Sequence, residues 1–212
     1  LLSRYYDVTS GRVTIDGTDV RDMLLTSLRD NIGLVQQDVF IHTATVRDNI
    51  AYGAVDAPLQ KVVEMAKIAQ LDEFIATLPD GYDSLVGERG VGLSGGQKQR
   101  LSIARTLMRD PPILVLDDST SSVDAHTERM IQDAMEAVIK RRTTFIITHR
   151  LSALRGADTI LVFKDGQIVE RGTHQELLGQ GGEYREIYEL QLLPGVGAGY
   201  KETATGSDRR VE

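Results

Sequence analysis

The residues best suited to chemistry lie in a few short stretches of this 212-residue chain. Ser94, Gly95, Gly96 and Gln97 stand in LSGGQKQR (93–100), at the head of a run with helical spacing. The unpaired backbone N–H groups and the dipole at a helix start favour an anion. Two glycines let the backbone approach a phosphate closely. A glycine-rich helix start without a ligand is the plain alternative, but this eight-residue string is far rarer than glycine-rich loops in general. Asp117 and Asp118 follow the uniformly apolar run ILVL (113–116). A carboxylate at the carboxyl end of a buried strand stands where open α/β sheets bind ligands; taken alone, it is equally an acidic turn. His149 follows TTFIIT (143–148), and Gln37 lies in the polar loop after NIGLV (31–35). Neither means much by itself, and His42, His126 and His174 match no such pattern and read as ordinary surface positions. In SSVD (121–124), Ser and Asp equally suit an N-cap for the helix that follows.

The elements that would position these residues read as an α/β pattern. GRVTIDGTDV (11–20) alternates and breaks at Asp16-Gly17, a hairpin signal. Asp56 as N-cap with Pro58 in the first turn predicts a helix, with Leu59, Val62, Val63, Ala66 and Ala69 on one face. Leu71, Phe74, Ile75 and Leu78 predict a second short helix ending at Pro79, and a third is expected from about Gly95 to Met108. ILVL and TTFIIT read as strands covered on both faces, with a helix carrying Ile131, Ala134, Met135, Val138 and Ile139 between them. TILVFKDGQIVERG (159–172) predicts a hairpin at Asp165-Gly166. Strand, helix, strand is the order of a parallel sheet. From Pro194 onward, Gly and polar residues predict a disordered tail.

LSGGQKQR is similar to the signature motif of ABC ATPases, and ILVLDDST (113–120) resembles the Walker B strand of that family. The resemblance covers residues 1 to about 193. TVRDNIAYG (45–53) and VGERGVGLSGG (86–96) look like exporter-type domains, and GERG (87–90) resembles the X-loop that touches the coupling helices of exporters. This implies a P-loop NTPase fold, RecA-like, with a parallel core, an antiparallel β element and a helical subdomain inserted over about 41–110. It implies ATP and Mg²⁺ as ligands. Asp117 and Gln37 would hold Mg²⁺, Asp118 would be the catalytic base, and His149 the switch histidine. Ser94, Gly95, Gly96 and Gln97 would grip the γ-phosphate of ATP on a second ABC ATPase domain, and Asp124 would belong to the D-loop between the two sites. The Q-loop at Gln37 and the X-loop would meet a transmembrane domain of the same polypeptide, at the cytoplasmic face of the membrane. The parent protein would couple ATP hydrolysis to export.

Two departures from the family pattern qualify this expectation. Fully active members usually carry Glu where this chain has Asp118, one methylene shorter. The resemblance then implies a heterodimer with one weak ATP site, or a non-catalytic regulatory half. Gln36 stands where the family often has Pro. The chain also opens on LLSRYYD, which reads as the end of a helix, without an initiating Met and without the phosphate loop G-x-x-x-x-G-K-[ST]. It is expected to be a fragment that binds ATP poorly and hydrolyses it negligibly on its own.

Composition sets the outer limits. A 41% hydrophobic content suffices for a buried core, and a net charge of −7 argues against a general nucleic-acid binder. With no cysteine there is no disulfide framework. No apolar run nears the length of a membrane span, so the chain itself is expected to be soluble. A DNA-repair or chromosome-organising ATPase shares such motifs, but no coiled-coil heptads occur here.

Overall fold

The computed structural model describes residues 1–87, 90–117, 130, 138–139 and 142–192. They form two compact units, residues 1–149 and the residues from 150 onward.

In the first unit, β1 (Thr14–Ile15) and β2 (Thr18–Asp19) form the expected hairpin. Asp16 and Gly17 both take positive φ, 49° and 83°, the conformation a tight two-residue hairpin turn demands. The ladder is two residues long on each side, shorter than the alternation in the sequence suggests. Helix α1 (Leu25–Asp30) leads into β3 (Ile32–Val35). Next come β4 (Ala44–Thr45), α2 (Val46–Ile50), α3 (Leu59–Ile68), α4 (Asp72–Ala76), β5 (Leu85–Val86) and α5 (Gly95–Leu107). The chain then enters β6 (Ile113–Asp117), and β7 is Thr143–Ile147.

Strands β3, β6 and β7 form one parallel sheet in that order, with β6 in the middle. β4 and β5 pair antiparallel within the helical stretch. The main core joins Val35, Leu114 and Leu116 of the sheet to Val46, Ile50, Val62, Ala66, Ile75, Leu101, Ala104 and Leu107 of the helices. A smaller core beside the hairpin gathers Val20, Leu28, Ile32 and Ile113. At Gly33 the sheet has no room for a side chain beneath α5 and the residues that follow it. A Cβ there would stand 2.6 Å from Pro111 Cγ, 2.7 Å from Thr106 Cγ2 and 2.9 Å from Leu114 Cδ2.

Four expectations need correction. Residues 1–7 are not helical: the Arg4 N–H donates to the Leu1 carbonyl in one turn, and Arg4 takes a φ of 49°. Asp56 is not the cap of α3; Pro58 holds that position, and its fixed extended geometry starts the helix at Leu59 without a side-chain cap. β7 is not covered on both faces. Its burial alternates along the strand, and the face carrying Phe145 (47% exposed) and Ile147 (54% exposed) is open. His42 and His174, read as ordinary surface positions, are half-buried and engaged with aromatic rings. The predicted helix around residues 131–139 lies mostly outside the described residues; Met130, Val138 and Ile139 are helical, and Val138 joins the main core. The tail from Pro194 lies wholly outside them.

The second unit pairs β8 (Ile160–Lys164) with β9 (Gln167–Gly172), antiparallel, with an irregularity at Val162/Phe163. Its turn falls at Asp165 and Gly166 (φ 51° and 77°), as the sequence predicts. Helices α6 (His174–Gln180) and α7 (Glu183–Leu192) follow. Thr173 and Glu176 form a capping box at α6. The Glu170 carboxylate accepts the Glu183 and Tyr184 N–H groups at the head of α7, at 2.7 and 3.1 Å. Leu151, Ile160, Leu177 and Tyr184 make this unit's core, and the Tyr184 hydroxyl is 2.7 Å from His174 Nδ1.

Candidate functional site

Three of the chemistry-bearing residues share one edge of the parallel sheet. The register aligns Val35 with Leu116 and Asp117 with Ile147, so all three strands end together at their carboxyl side. Asp117 is the last residue of β6 and is half-buried. Gln37 lies two residues beyond β3 and His149 two beyond β7; both are exposed. Because parallel strands lie about 4.8 Å apart, this edge gathers a carboxylate, an amide and an imidazole around the end of β6. It is the end of the sheet where α/β folds bind ligands.

Ser94 through Gln97 begin α5. Ser94 is the N-cap: its Oγ accepts the Gln97 N–H at 3.3 Å, and its own N–H donates to Gln97 Oε1 at 2.8 Å. This reciprocal capping box fixes the helix start. Ser94 and Gly95 are exposed, while Gly96 is buried. The opposite end of the helix rests on β3, where Thr106 Oγ1 donates to the Leu34 carbonyl at 3.4 Å. At 1.5 Å rise per residue, Ser94 stands roughly 18 Å along the helix from that contact. The sheet edge and the glycine-lined helix start are therefore separate features of one unit. Asp118 and Asp124 lie outside the described residues.

Sequence reasoning missed a buried hub between these features. Asn49 in α2 is fully buried. Its Nδ2 donates to the carbonyls of His42 at 2.9 Å and Thr45 at 3.0 Å, and its Oδ1 accepts the His42 N–H at 3.0 Å. Arg105 of α5 completes it: Nη2 donates to Asn49 Oδ1, Nε to the Asn49 carbonyl and Nη1 to the Phe40 carbonyl, each at 2.9 Å. Burial lowers the Arg105 guanidinium below the usual arginine range, opposed by Tyr52 nearby; arginine still stays charged. His42 stacks on Tyr52 with ring centres 4.3 Å apart and meets Phe40 edge-on at 5.0 Å. The one available signal was Arg105 standing between the apolar positions Ala104 and Leu107 of α5.

The GERG turn begins on the same segment. Gly87 has a φ of 105°, and a Cβ there would meet Thr43 Cα at 3.1 Å and the His42 carbonyl at 3.3 Å. Glu88 and Arg89 lie outside the described residues.

A parallel α/β sheet with acidic and polar groups at its carboxyl edge places the chain in the class of α/β folds that bind ligands at that edge. The family model described as ABC transporter matches residues 1–121. The chain is 55% identical over 90% of its length to the ABC transporter ATP-binding protein YknU of Bacillus subtilis, of which it covers 33%. It is 51% identical over 91% of its length to YgaD of the same organism, named as a multidrug export ATP-binding/permease protein, and again covers 33%. A bacterial Atm1-family ABC exporter, solved with ATP bound, superposes with a TM-score of 0.85 at 47% identity, over 91% of this chain and 34% of that one. The chain thus spans about a third of the length of the relatives it matches. It belongs to the ABC transporter family, as an ATP-binding domain of the ATPase class with the P-loop NTPase type of α/β fold.

Proposed function

We propose that this chain couples MgATP hydrolysis to export of a substrate across a membrane, as part of an ATP-binding/permease transporter at its cytoplasmic face. The observation that carries the proposal is the grouping of Gln37, Asp117 and His149 at the sheet's carboxyl edge, apart from an exposed, capped Ser94 helix start. Names of relatives such as the multidrug export protein support the export role. The ATPase domain spans residues 1–193, with a helical subdomain over about 41–110.

Each residue has a role in this reading. The Asp117 carboxylate, accessible at a strand tip, and the Gln37 amide oxygen are hard donors that suit Mg²⁺. When bound, the ion neutralises charge on the transferred phosphoryl group. His149 contacts the γ-phosphate and orients the attacking water, and Asp118 accepts its proton. Ser94, Gly95, Gly96 and Gln97 present N–H groups to the γ-phosphate of ATP on a second such domain. Asp124 lies in the loop between the two sites. The loop after Gln37 and the turn 87–90 face the transmembrane domain. The 212-residue polypeptide alone has no G-x-x-x-x-G-K-[ST] string, so it hydrolyses ATP negligibly.

The test is MgATP hydrolysis by the full-length transporter carrying this chain. Asp117→Ala and His149→Ala are each expected to lower kcat on the order of 100-fold or more; full activity in both contradicts the reading. A second reading, a regulatory half that binds nucleotide without turnover, is favoured by Asp118. Asp118→Glu distinguishes them. A rise in ATPase rate marks a weakened base, and no change marks a regulatory half.

A further inference from the structure

The buried Asn49–Arg105 hub joins three stretches that the proposed function gives different tasks. Arg105 lies ten residues after Gly95 on a continuous helix, so its guanidinium sits roughly 15 Å along the axis from the phosphate-facing end. Its forked donors grip the carbonyls of Phe40 and Asn49 and the Asn49 side chain. Asn49 in turn holds both polar backbone groups of His42 and the carbonyl of Thr45. That segment starts three residues beyond Gln37. It carries β4, which pairs with β5 at Ala44–Val86, and Gly87 rests on Thr43 and His42. No apolar pair could supply these contacts, because most of the partners are backbone N–H and C=O groups that need a hydrogen-bonding partner.

We propose that Arg105 and Asn49 are positioning residues that make the start of α5, the segment 40–45 and the turn opening at Gly87 move as one piece. A displacement of the helix on seating a phosphate at Ser94–Gly96 is thereby delivered to both loops that face the transmembrane domain. The helix is the rod, and the planar guanidinium is the clamp. Lysine keeps the charge but cannot bond three acceptors in one plane, so Arg105→Lys loosens the clamp without removing the cation. This rests on the phosphate role proposed for Ser94–Gly96.

The experiment compares amide hydrogen exchange in the full-length transporter with and without MgATP and vanadate, alongside steady-state ATPase kinetics. In the unmodified protein, trapping is expected to change exchange at residues 94–97, 40–45 and 85–87 together. In Arg105→Lys the change at 94–97 persists, while that at 40–45 and 85–87 is lost. KM for ATP stays within about twofold and kcat falls on the order of tenfold, as misplacement of a reacting group produces. Leu107→Ala, which thins the same helix's core face and removes none of the hub's hydrogen-bonding groups, serves as a matched destabilised control. It is expected to keep the coupled response. Coupled exchange in Arg105→Lys equal to the unmodified protein overturns the proposal, and so does equal loss in Leu107→Ala. No change at 94–97 in the unmodified protein overturns the phosphate role itself, and the positioning role with it.

Discussion

At the scale of single residues, two polar clusters respond differently to perturbation. Asn49 is fully buried and satisfies two carbonyls, one N–H and part of a guanidinium. Asn49→Ala leaves those groups unpaired away from water, so urea unfolding is expected to show a loss of about 2–4 kcal/mol. Asp19 is instead a surface clamp. Its carboxylate takes the forked side chain of Arg21 at 3.0 and 2.7 Å and the Arg21 N–H at 2.9 Å. The Arg21 side chain first, and its N–H second, lower Asp19 from 3.8 to about 2. An acid held below its unfolded value stabilises the fold above that value, and the contribution fades as the proton returns. Thermal unfolding against pH should therefore show Asp19→Asn less stable than the unmodified chain at neutral pH, with the gap closing as pH falls from 3.8 towards 2.

At the scale of elements, a tight contact lies where α5 and the chain after it pass over Gly33 of β3. Any Cβ there meets the rigid ring of Pro111 at 2.6 Å as well as Thr106 and Leu114. Gly33→Ala is expected to cost about 1–3 kcal/mol in chemical denaturation through overpacking; an unchanged midpoint would show that the helix can lift away freely. Glycine here serves close approach, not an unusual turn. Most elements were legible from the sequence because periodicity is a direct record of burial. α5 was predicted within one residue, and both Asp-Gly turns fell where predicted. Legibility failed where the deciding partner is distant in sequence. The exposure of one face of β7 depends on what the rest of the fold packs against it, which an apolar run cannot reveal. The Asn49–Arg105 hub spans 56 residues and serves backbone acceptors that no motif encodes. The positions of the candidate site residues were legible because each sits beside an element boundary that the pattern marks: Asp117 at the end of β6, His149 past β7, Ser94 before α5.

At the scale of the whole molecule, one chain holds two half-sites that face different nucleotides in the proposed dimer. The sheet edge would serve this domain's ATP, and the Ser94 helix start would serve the ATP of its neighbour. The helix places them too far apart to act on one phosphate within a single copy: Ser94 lies roughly 18 Å along α5 from the contact with β3. In the proposed dimer this separation would make turnover require a closed pair of domains, with the Arg105 clamp linking what each half senses.

Vanadate trapped in the γ-phosphate position and irradiated with ultraviolet light cleaves the backbone it touches, and this tests the division of labour most directly. In the full-length transporter carrying this chain, cleavage is predicted at Ser94–Gly96, dependent on MgATP and abolished when the partner domain is prevented from docking. Cleavage confined to the end of β6, with the Ser94 helix start intact under trapping conditions, would contradict the account.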